Sequence, residues 1–386
     1  MIFNKYRLED ITDKIGDGIH GTPKYDDNGD YYFVNGNNLV DGDIVFKKDT
    51  KRINEEQYLK NKRDLNKNTL LVSINGTLGN VAKYNNEKII LGKSACYMNV
   101  KDEYNVDYVY FVFESPEFKK YLQYGANGTT IKNVPLSAIR NYEISIPSKE
   151  NQDKIVRILK SIEDKIKLNN KINNNLYELC NNLFHEYLDK YESKVEYKKI
   201  VEIAKKVVTG KTPSTANKDF WDGDIPFITI PDMHNQVFTI KTERNITELG
   251  AKSIIPKNSI SVSCIATVGL VSINTEDSQT NQQINSIVIE NDYDLYFLFE
   301  YLSEQEEYMK SIAGGSTTYN INKNTFENIE VPYLPKDVLI EFNNSVSSMF
   351  EKIKLNQYEN ERLSQLRDTL LPKLMNGEID LDNVEI

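Results

Sequence analysis

Gly210-Lys211-Thr212 has the residue types that end a phosphate-cradling loop, in which backbone amides and a lysine hold a nucleotide. Such a loop needs a glycine five residues before Gly210, where Lys205 stands, and Pro213 follows directly, so the segment reads as a turn. The pairs Gly76/Gly79 and Gly125/Gly128 lack the three-glycine spacing after a strand that would place a dinucleotide or adenosylmethionine. His20, His185 and His234 form neither HExxH nor HxH, and no two of Cys96, Cys180 and Cys264 make a CxxC pair. A metal centre therefore lacks its ligands, and the cysteines read as plain buried thiols. There is no GxSxG elbow, and no Asn-Pro-Pro-Tyr or Asp-Pro-Pro-Tyr loop of the kind that positions a base for methylation. The chemistry missing from this chain predicts a protein that reads and does not react.

Composition sets the frame for the elements that would do the reading. With 386 residues, 39% of them hydrophobic, the chain has material for two domains with independent cores. No apolar run approaches the roughly 20 residues needed to cross a bilayer. Acidic residues also interrupt the N-terminal segment, so a cytoplasmic location is expected. A net charge of −10 speaks against nucleic acid as a partner. Between Phe46 and Lys67, however, eight cations face four carboxylates, which leaves open both a basic patch and a solvated lysine-rich loop.

The second half of the chain repeats the first. Lys67 to Ala82 (KNTLLVSINGTLGNVA) aligns with Lys257 to Ser272 (KNSISVSCIATVGLVS) at an offset of 190. Gly128-Thr129-Thr130 faces Ser316-Thr317-Thr318 at an offset of 188, and Lys165 to Asn169 (KIKLN) recurs unchanged as Lys352 to Asn356 at 187. A period this long is a duplicated domain and not a solenoid, whose units run to roughly 20–50 residues. The fold class is α+β: two tandem, pseudo-symmetric mixed α/β domains, each followed by a long helix. In the first domain, strands are expected at 32–34, 70–74, 81–84, 95–100 and 142–146, with a helix from Val106 to Leu122. In the second, strands are expected at 227–230, 260–264, 270–273, 284–289 and 329–331, with a helix from Leu295 to Ile312.

From Lys154 to about Tyr187, the residues Ile155, Leu159, Ile162, Ile166, Leu176, Cys180, Leu183 and Tyr187 follow coiled-coil spacing. From Asp337 to about Leu371, the residues Phe342, Val346, Met349, Ile353, Leu363 and Leu370 do the same, and Pro372 then Gly377 is expected to end that helix. Asn169 and Asn173 lie on the first seam and Asn356 and Asn360 at the equivalent places on the second. A buried asparagine costs stability but rejects other registers, so matched asparagines predict a specified pairing. Each lies near the middle of its helix, which favours an antiparallel coiled coil with the domains at opposite ends.

Taken together, these residues resemble the specificity subunit of type I restriction-modification systems over nearly the whole chain. The second half carries Gly210-Lys211-Thr212-Pro213, Phe220 to Ile228 (FWDGDIPFI), Asp232-Met233, Ala266 to Gly269 (ATVG) and Thr280 to Gln283 (TNQQ). The first half carries Gly21-Thr22-Pro23, Asn75 to Gly79 (NGTLG) and Gly128-Thr129-Thr130, and Arg367 to Ile379 (RDTLLPKLMNGEI) resembles the family's closing helix. The resemblance implies target recognition domains at 1–148 and 194–335, conserved spacer helices at 149–193 and 336–378, and a tail at 379–386. Each domain would read one half of a bipartite double-stranded DNA sequence. The chain itself would be non-catalytic and bind no cofactor. Two methylation subunits would bring S-adenosylmethionine, and two restriction subunits would bring ATP and Mg. The halves differ where Gly36 to Leu39 (GNNL) faces Pro231-Asp232-Met233 and where Gly92 to Ala95 (GKSA) faces the TNQQ run, so the two half-sites are expected to differ.

Asparagine and glutamine can bond adenine twice and lysine can meet guanine, which makes Asn281, Gln282, Gln283 and Lys93 candidates for base edges. Thr129, Thr130, Thr317 and Thr318, in glycine-rich loops, suit phosphate. Their motif neighbours His20, Thr22, Lys24, Asn75, Thr77, Ser94, Lys132, Lys211, Thr212, Thr267, Ser316 and Tyr319 complete the candidate DNA-binding set. For each, the alternative is a turn or strand residue that holds the fold. Two rival functions stay in view: a duplicated coiled-coil scaffold binding protein or glycan, and a methyltransferase with a disguised site.

Overall fold

The computed structural model describes residues 2–128, 132–234, 236–315, 318–379 and 381. These form two compact units, Met1–Glu163 with Gln365–Ile386, and Asp164–Ser364.

The first unit is built on a four-stranded antiparallel sheet in the order Thr12–Asp17, Ala95–Val100, Thr69–Ser73, Val81–Lys83. All of Thr69–Ser73 is buried, because both faces of this sheet are covered. Successive side chains on a strand point to opposite faces. Leu70 and Val72 accordingly join the core formed with the helices Val106–Glu114 and Pro116–Gly125, whereas Leu71 joins a smaller core with Val34, Leu39, Ile89 and Leu91. That smaller core lies under a three-stranded sheet in the order Arg52–Ile53, Tyr31–Val34, Ile89–Leu91.

The second unit has the same plan. Its main sheet runs Ala204–Thr209, Ile284–Ile289, Ile260–Ser263, Val271–Asn274, Phe238–Thr239, and its smaller sheet Arg244–Ile246, Trp221–Ile228, Ser278–Thr280, Ile254–Ile255. In each repeat a first strand, Asn4–Arg7 or Glu196–Lys199, pairs antiparallel with a last one, Glu143–Ile146 or Glu330–Tyr333. Both first strands are charged and mostly exposed, so no hydrophobic alternation announces them.

Two expected helices are broken. Val106 to Leu122 divides into Val106–Glu114 and Pro116–Gly125. Proline forces its predecessor out of the helical region. Ser115 (φ −64°, ψ 148°) then caps the second helix by accepting from the Phe118 amide at 3.3 Å, which satisfies one of the free amides at that helix start. Leu295 to Ile312 divides into Leu295–Ser303 and Glu306–Ile312 without a proline, so the break belongs to the repeat's packing.

The long helices span Lys149–Lys190 and Lys336–Met375, several residues beyond the expected limits. The second continues through Pro372, which lies in its last turn and there removes an amide donor and crowds the Asp368 carbonyl. It ends at Met375, and Gly377 follows in the left-handed region with φ 72°, the conformation that glycine adopts freely after a helix. Within the second unit the two run antiparallel. Asn169 Nδ2 donates to Asn360 Oδ1 at 2.9 Å and Asn356 Nδ2 to Asn173 Oδ1 at 2.8 Å, while Tyr187 Oη donates to Glu341 at 3.0 Å. Within the first unit, Ile155 and Leu159 of one helix and Leu371 and Leu374 of the other share the core beneath the sheet's helices.

Candidate nucleic-acid interface

In the first unit the candidate residues gather at one end of the main sheet, where Asp17, Ser73 and Ala95 lie side by side. The loop after Asp17 is held by Gly18 N donating to Ala95 O at 3.2 Å and Ile19 N to Leu91 O at 2.8 Å. Gly18 is required there, because a Cβ would stand 2.2 Å from the Leu91 carbonyl oxygen. Ile74 N donates to Ser94 O at 2.9 Å, and Gly76 N to Lys132 O at 3.1 Å. These bonds bring Asn75, Lys93, Ser94 and Lys132 beside the loop that carries His20, Thr22 and Lys24. His20, Thr22, Lys24, Thr77, Lys93 and Lys132 are exposed, and Asn75 and Ser94 half-buried. His20 Nε2 lies 2.7 Å from Asp17 Oδ2, which orients the ring. Ser94 is also structural: its hydroxyl accepts from Gly36 N and donates to Asn35 Oδ1, both at 2.9 Å.

The second unit repeats the construction bond for bond. Gly210 N donates to Ile284 O at 3.1 Å and Lys211 N to Thr280 O at 2.9 Å, and a Cβ on Gly210 would stand 2.1 Å from Asn281 O. Cys264 N donates to Gln283 O at 2.8 Å and Ala266 N to Tyr319 O at 3.0 Å. Lys211, Thr212, Thr267, Gln282, Gln283, Thr318 and Tyr319 are thereby brought to one end of the sheet, all exposed except the half-buried Gln283. Thr212 Oγ1 bonds Gln282 Oε1, so Gln282 still offers its amide nitrogen outward. The Gly-Lys-Thr segment is an extended turn and starts no helix, so it is not a phosphate cradle.

Asn281 is placed differently from its neighbours. It is 8% exposed, its Nδ2 donates to Gln283 Oε1 at 3.1 Å, and its Oδ1 accepts from Gln283 N at 2.9 Å. Its side chain holds the turn that presents Gln282, which is a structural role. Thr129, Thr130, Ser316 and Thr317 lie outside the described residues.

Two groups at this end are absent from the sequence-based candidates. Asn133 and Asn320, 187 apart, close their loops through paired backbone bonds with Asn127 (2.8 Å) and Gly314 (2.9 Å), and the repeat offset alone could have marked them. Arg63, which in the sequence is one member of a charge run, donates Nε to Asp17 O at 3.0 Å and so reaches the base of the His20 loop from 46 residues away.

No group of three or more metal-ligating side chains occurs among the described residues. All three cysteines are buried, and burial pushes the Cys180 thiol up to about 12 and the Cys264 thiol to about 11, far from the range of reactive thiolates. No helix among the described residues is long and apolar enough to cross a membrane.

The profile of the family described as "Type I restriction modification DNA specificity domain" matches residues 3–178 and again 192–362. The chain is 33% identical to the type I restriction enzyme HindI specificity subunit of Haemophilus influenzae, over 74% of this chain and 81% of that one. It is 35% identical to the MjaIX specificity subunit of Methanocaldococcus jannaschii over 43% of each. A crystal structure of the type I restriction-modification S subunit from M. genitalium shares the fold, with a TM-score of 0.60 at 19% identity over 97% of this chain and 96% of that one. The chain belongs to the type I restriction-modification DNA specificity family, whose domain it carries twice.

Proposed function

We propose that this protein is the sequence-specificity subunit of a type I restriction-modification complex, in which each repeat reads one half of a bipartite double-stranded DNA target. The observation that carries the reading is the duplicated loop cluster. In each unit the same backbone bonds bring lysine, threonine and amide side chains, most of them exposed, to one end of a covered sheet, the mixture that meets phosphates and base edges. The clusters differ in the residues they expose, Lys93 and Lys132 in one against Gln282 and Tyr319 in the other, which supports two different half-sites. The boundaries read from the sequence, 1–148 and 194–335, delimit these two readers.

The chain directs chemistry that it does not perform. Two methylation subunits would carry S-adenosylmethionine and modify adenine at N6, and two restriction subunits would carry ATP and Mg. Basic surface on those partners would complement an acidic chain. The scaffold alternative explains the repeat and the charge but leaves the paired loop clusters without a purpose.

The test is to co-express the chain with the methylation subunit encoded beside it and map methylated adenines by long-read sequencing. A motif in two parts with a fixed gap is expected, and replacing residues 194–335 with another domain should change one part only. Absence of methylation, with a stable chain that ignores DNA, would overturn the reading.

A further inference from the structure

The small sheet of the first unit carries a layer of aromatic rings capped by lysines. Tyr31 and Phe33 alternate on one face of Tyr31–Val34. Tyr31 stacks on Tyr58 at 4.1 Å between centroids, and Phe33 packs on Tyr25 at 6.2 Å. Lys88 stands over Tyr31 at 5.7 Å, Lys62 over Tyr58 at 6.0 Å and Lys51 over Tyr25 at 6.0 Å. All three lysines are exposed, and no carboxylate lies within ion-pairing distance of any of them among the described residues. Tyr25 is itself 41% exposed.

This layer is continuous with the loop cluster. The Phe33 ring lies against Gly92, where a Cβ would meet it at 2.9 Å, and the next residue is Lys93. Lys24 N lies 3.4 Å from Gln57 Oε1, on the short helix Glu55–Asn61 that supplies Tyr58. The second unit builds a smaller counterpart, in which Arg244 covers Trp221 at 3.4 Å and Lys252 covers Phe220 at 5.8 Å, two cation–ring pairs against three.

We infer that this aromatic–lysine face grips the duplex phosphate backbone beside the first half-site and gives the first domain an electrostatic hold on the DNA. The inference rests on the DNA-reading function proposed above. A ring face beneath an ammonium narrows its positions without neutralising it, so three heads are held ready for anions spaced along one strand. None of the three is held in an ion pair among the described residues, so each ammonium can meet a phosphate, and adjacency to Lys93 puts the same duplex within reach. Such contacts fix position and carry no sequence information.

The test compares wild type with Lys51→Gln/Lys62→Gln/Lys88→Gln in the assembled methyltransferase, measuring the affinity for target duplex as salt is raised. Each phosphate neutralised contributes about 0.9 to the slope of log affinity against log salt, so the triple variant should fall short of wild type by about 2.7. Between about 50 and 200 mM salt its affinity should then drop roughly fortyfold less than that of wild type. The methylated motif should stay the same, and the triple arginine variant should retain the wild-type slope. An unchanged slope in a complex whose wild type binds DNA overturns the inference alone, as does loss of the methylation subunit from the variant complex, which would mark the face as a protein contact. A wild-type complex that fails to bind DNA overturns the functional reading itself.

Discussion

The two repeats share one fold and fill one layer of it with different chemistry. On the face of the main sheet turned away from the paired helices, the first unit buries Leu71, Ala82 and Tyr97. At the equivalent positions, by offsets of 190, 190 and 189, the second unit buries Ser261, Ser272 and Ser286, each fully inaccessible. Their hydroxyls are satisfied within the layer: Ser261 and Ser286 lie 3.2 Å apart, and Ser272 meets Thr239 at 2.9 Å. The backbone ladder tolerates either filling, because it fixes where a side chain points and not what it is, provided every buried polar atom finds a partner. What differs is the balance of cohesion: the first layer is apolar throughout, while the second keeps an apolar cluster of Ile228, Ile230, Met233 and Ile284 and joins the rest by hydroxyl pairs.

That difference predicts unequal responses to the same kind of cut. Leu71→Ala removes a fully buried side chain from a packed layer and should lower the stability of the first unit by about 2–5 kcal/mol. Ser261→Ala removes one partner of a hydroxyl pair and should cost about 1 kcal/mol. Denaturant melts of the two variants test this, and a Ser261→Ala loss as large as that of Leu71→Ala would show that the layers cohere alike.

A second contrast lies where the sheet's helices meet the long ones. Phe111 in the first unit corresponds to Glu300 in the second, and both are buried. Glu300 Oε1 has no partner and Oε2 receives one bond, from Asn181 at 3.2 Å, so burial pushes its carboxyl up to about 8. A folded-state value above the unfolded one means that the unfolded chain gives up this proton first. Stability is therefore full below the ordinary carboxylate range, falls as pH rises towards about 8, and levels off above it. The slope approaches about 1.4 kcal/mol per pH unit, or about 3 kcal/mol by neutrality. Glu300→Gln should raise the melting temperature near neutral pH and leave it nearly unchanged in the ordinary carboxylate range. A variant that gains nothing near neutral pH would show the carboxyl to be ionised and otherwise compensated.

At the exposed ends of the sheets the contrast becomes one of recognition. Gln282→Ala with Gln283→Ala should weaken one half of the methylated motif and leave the other intact. The cost would be about 1–3 kcal/mol for each bidentate base pairing that is removed. Methylation mapping of the variant would show it, and equal loss on both halves, or none, would remove these residues from the interface.

Legibility in the sequence follows burial and repetition. The strand through Leu70, Leu71 and Val72 is visible as an apolar run, and the long helices as seams. The meeting of Asn169 with Asn360 and of Asn356 with Asn173 follows from their matched places. The strands Asn4–Arg7 and Glu196–Lys199 are not visible, because an exposed edge strand needs no apolar alternation. Nor can residue type separate Asn281 from Gln282. Both are amides in one motif, and only the turn decides that one side chain bonds inward while the other reaches solvent. Arg63 at the base of the His20 loop depends on a contact across 46 residues that no local pattern encodes.

The smallest expected effect concerns Ala266, which stands where the first repeat has Gly76. Both adopt the left-handed region, with φ of 65° and 76°, and both donate their amides to the returning loop, to Tyr319 O and Lys132 O. An alanine there carries steric strain of about 1–2 kcal/mol that glycine avoids, while glycine's freer unfolded chain returns about 0.4–1 kcal/mol of that difference. Ala266→Gly should therefore stabilise the second unit by at most about 1.6 kcal/mol, and Gly76→Ala should destabilise the first by a similar amount. Thermal melts of the two single variants check the pair of signs. If Ala266→Gly stabilises the protein yet reduces methylation at one half-site, the methyl group is retained for its contact with DNA, and the strain is a cost of recognition. If it stabilises without changing the motif or the rate, Gly76 and Ala266 are equivalent hinges, and the difference between the repeats at this loop is one of stability alone.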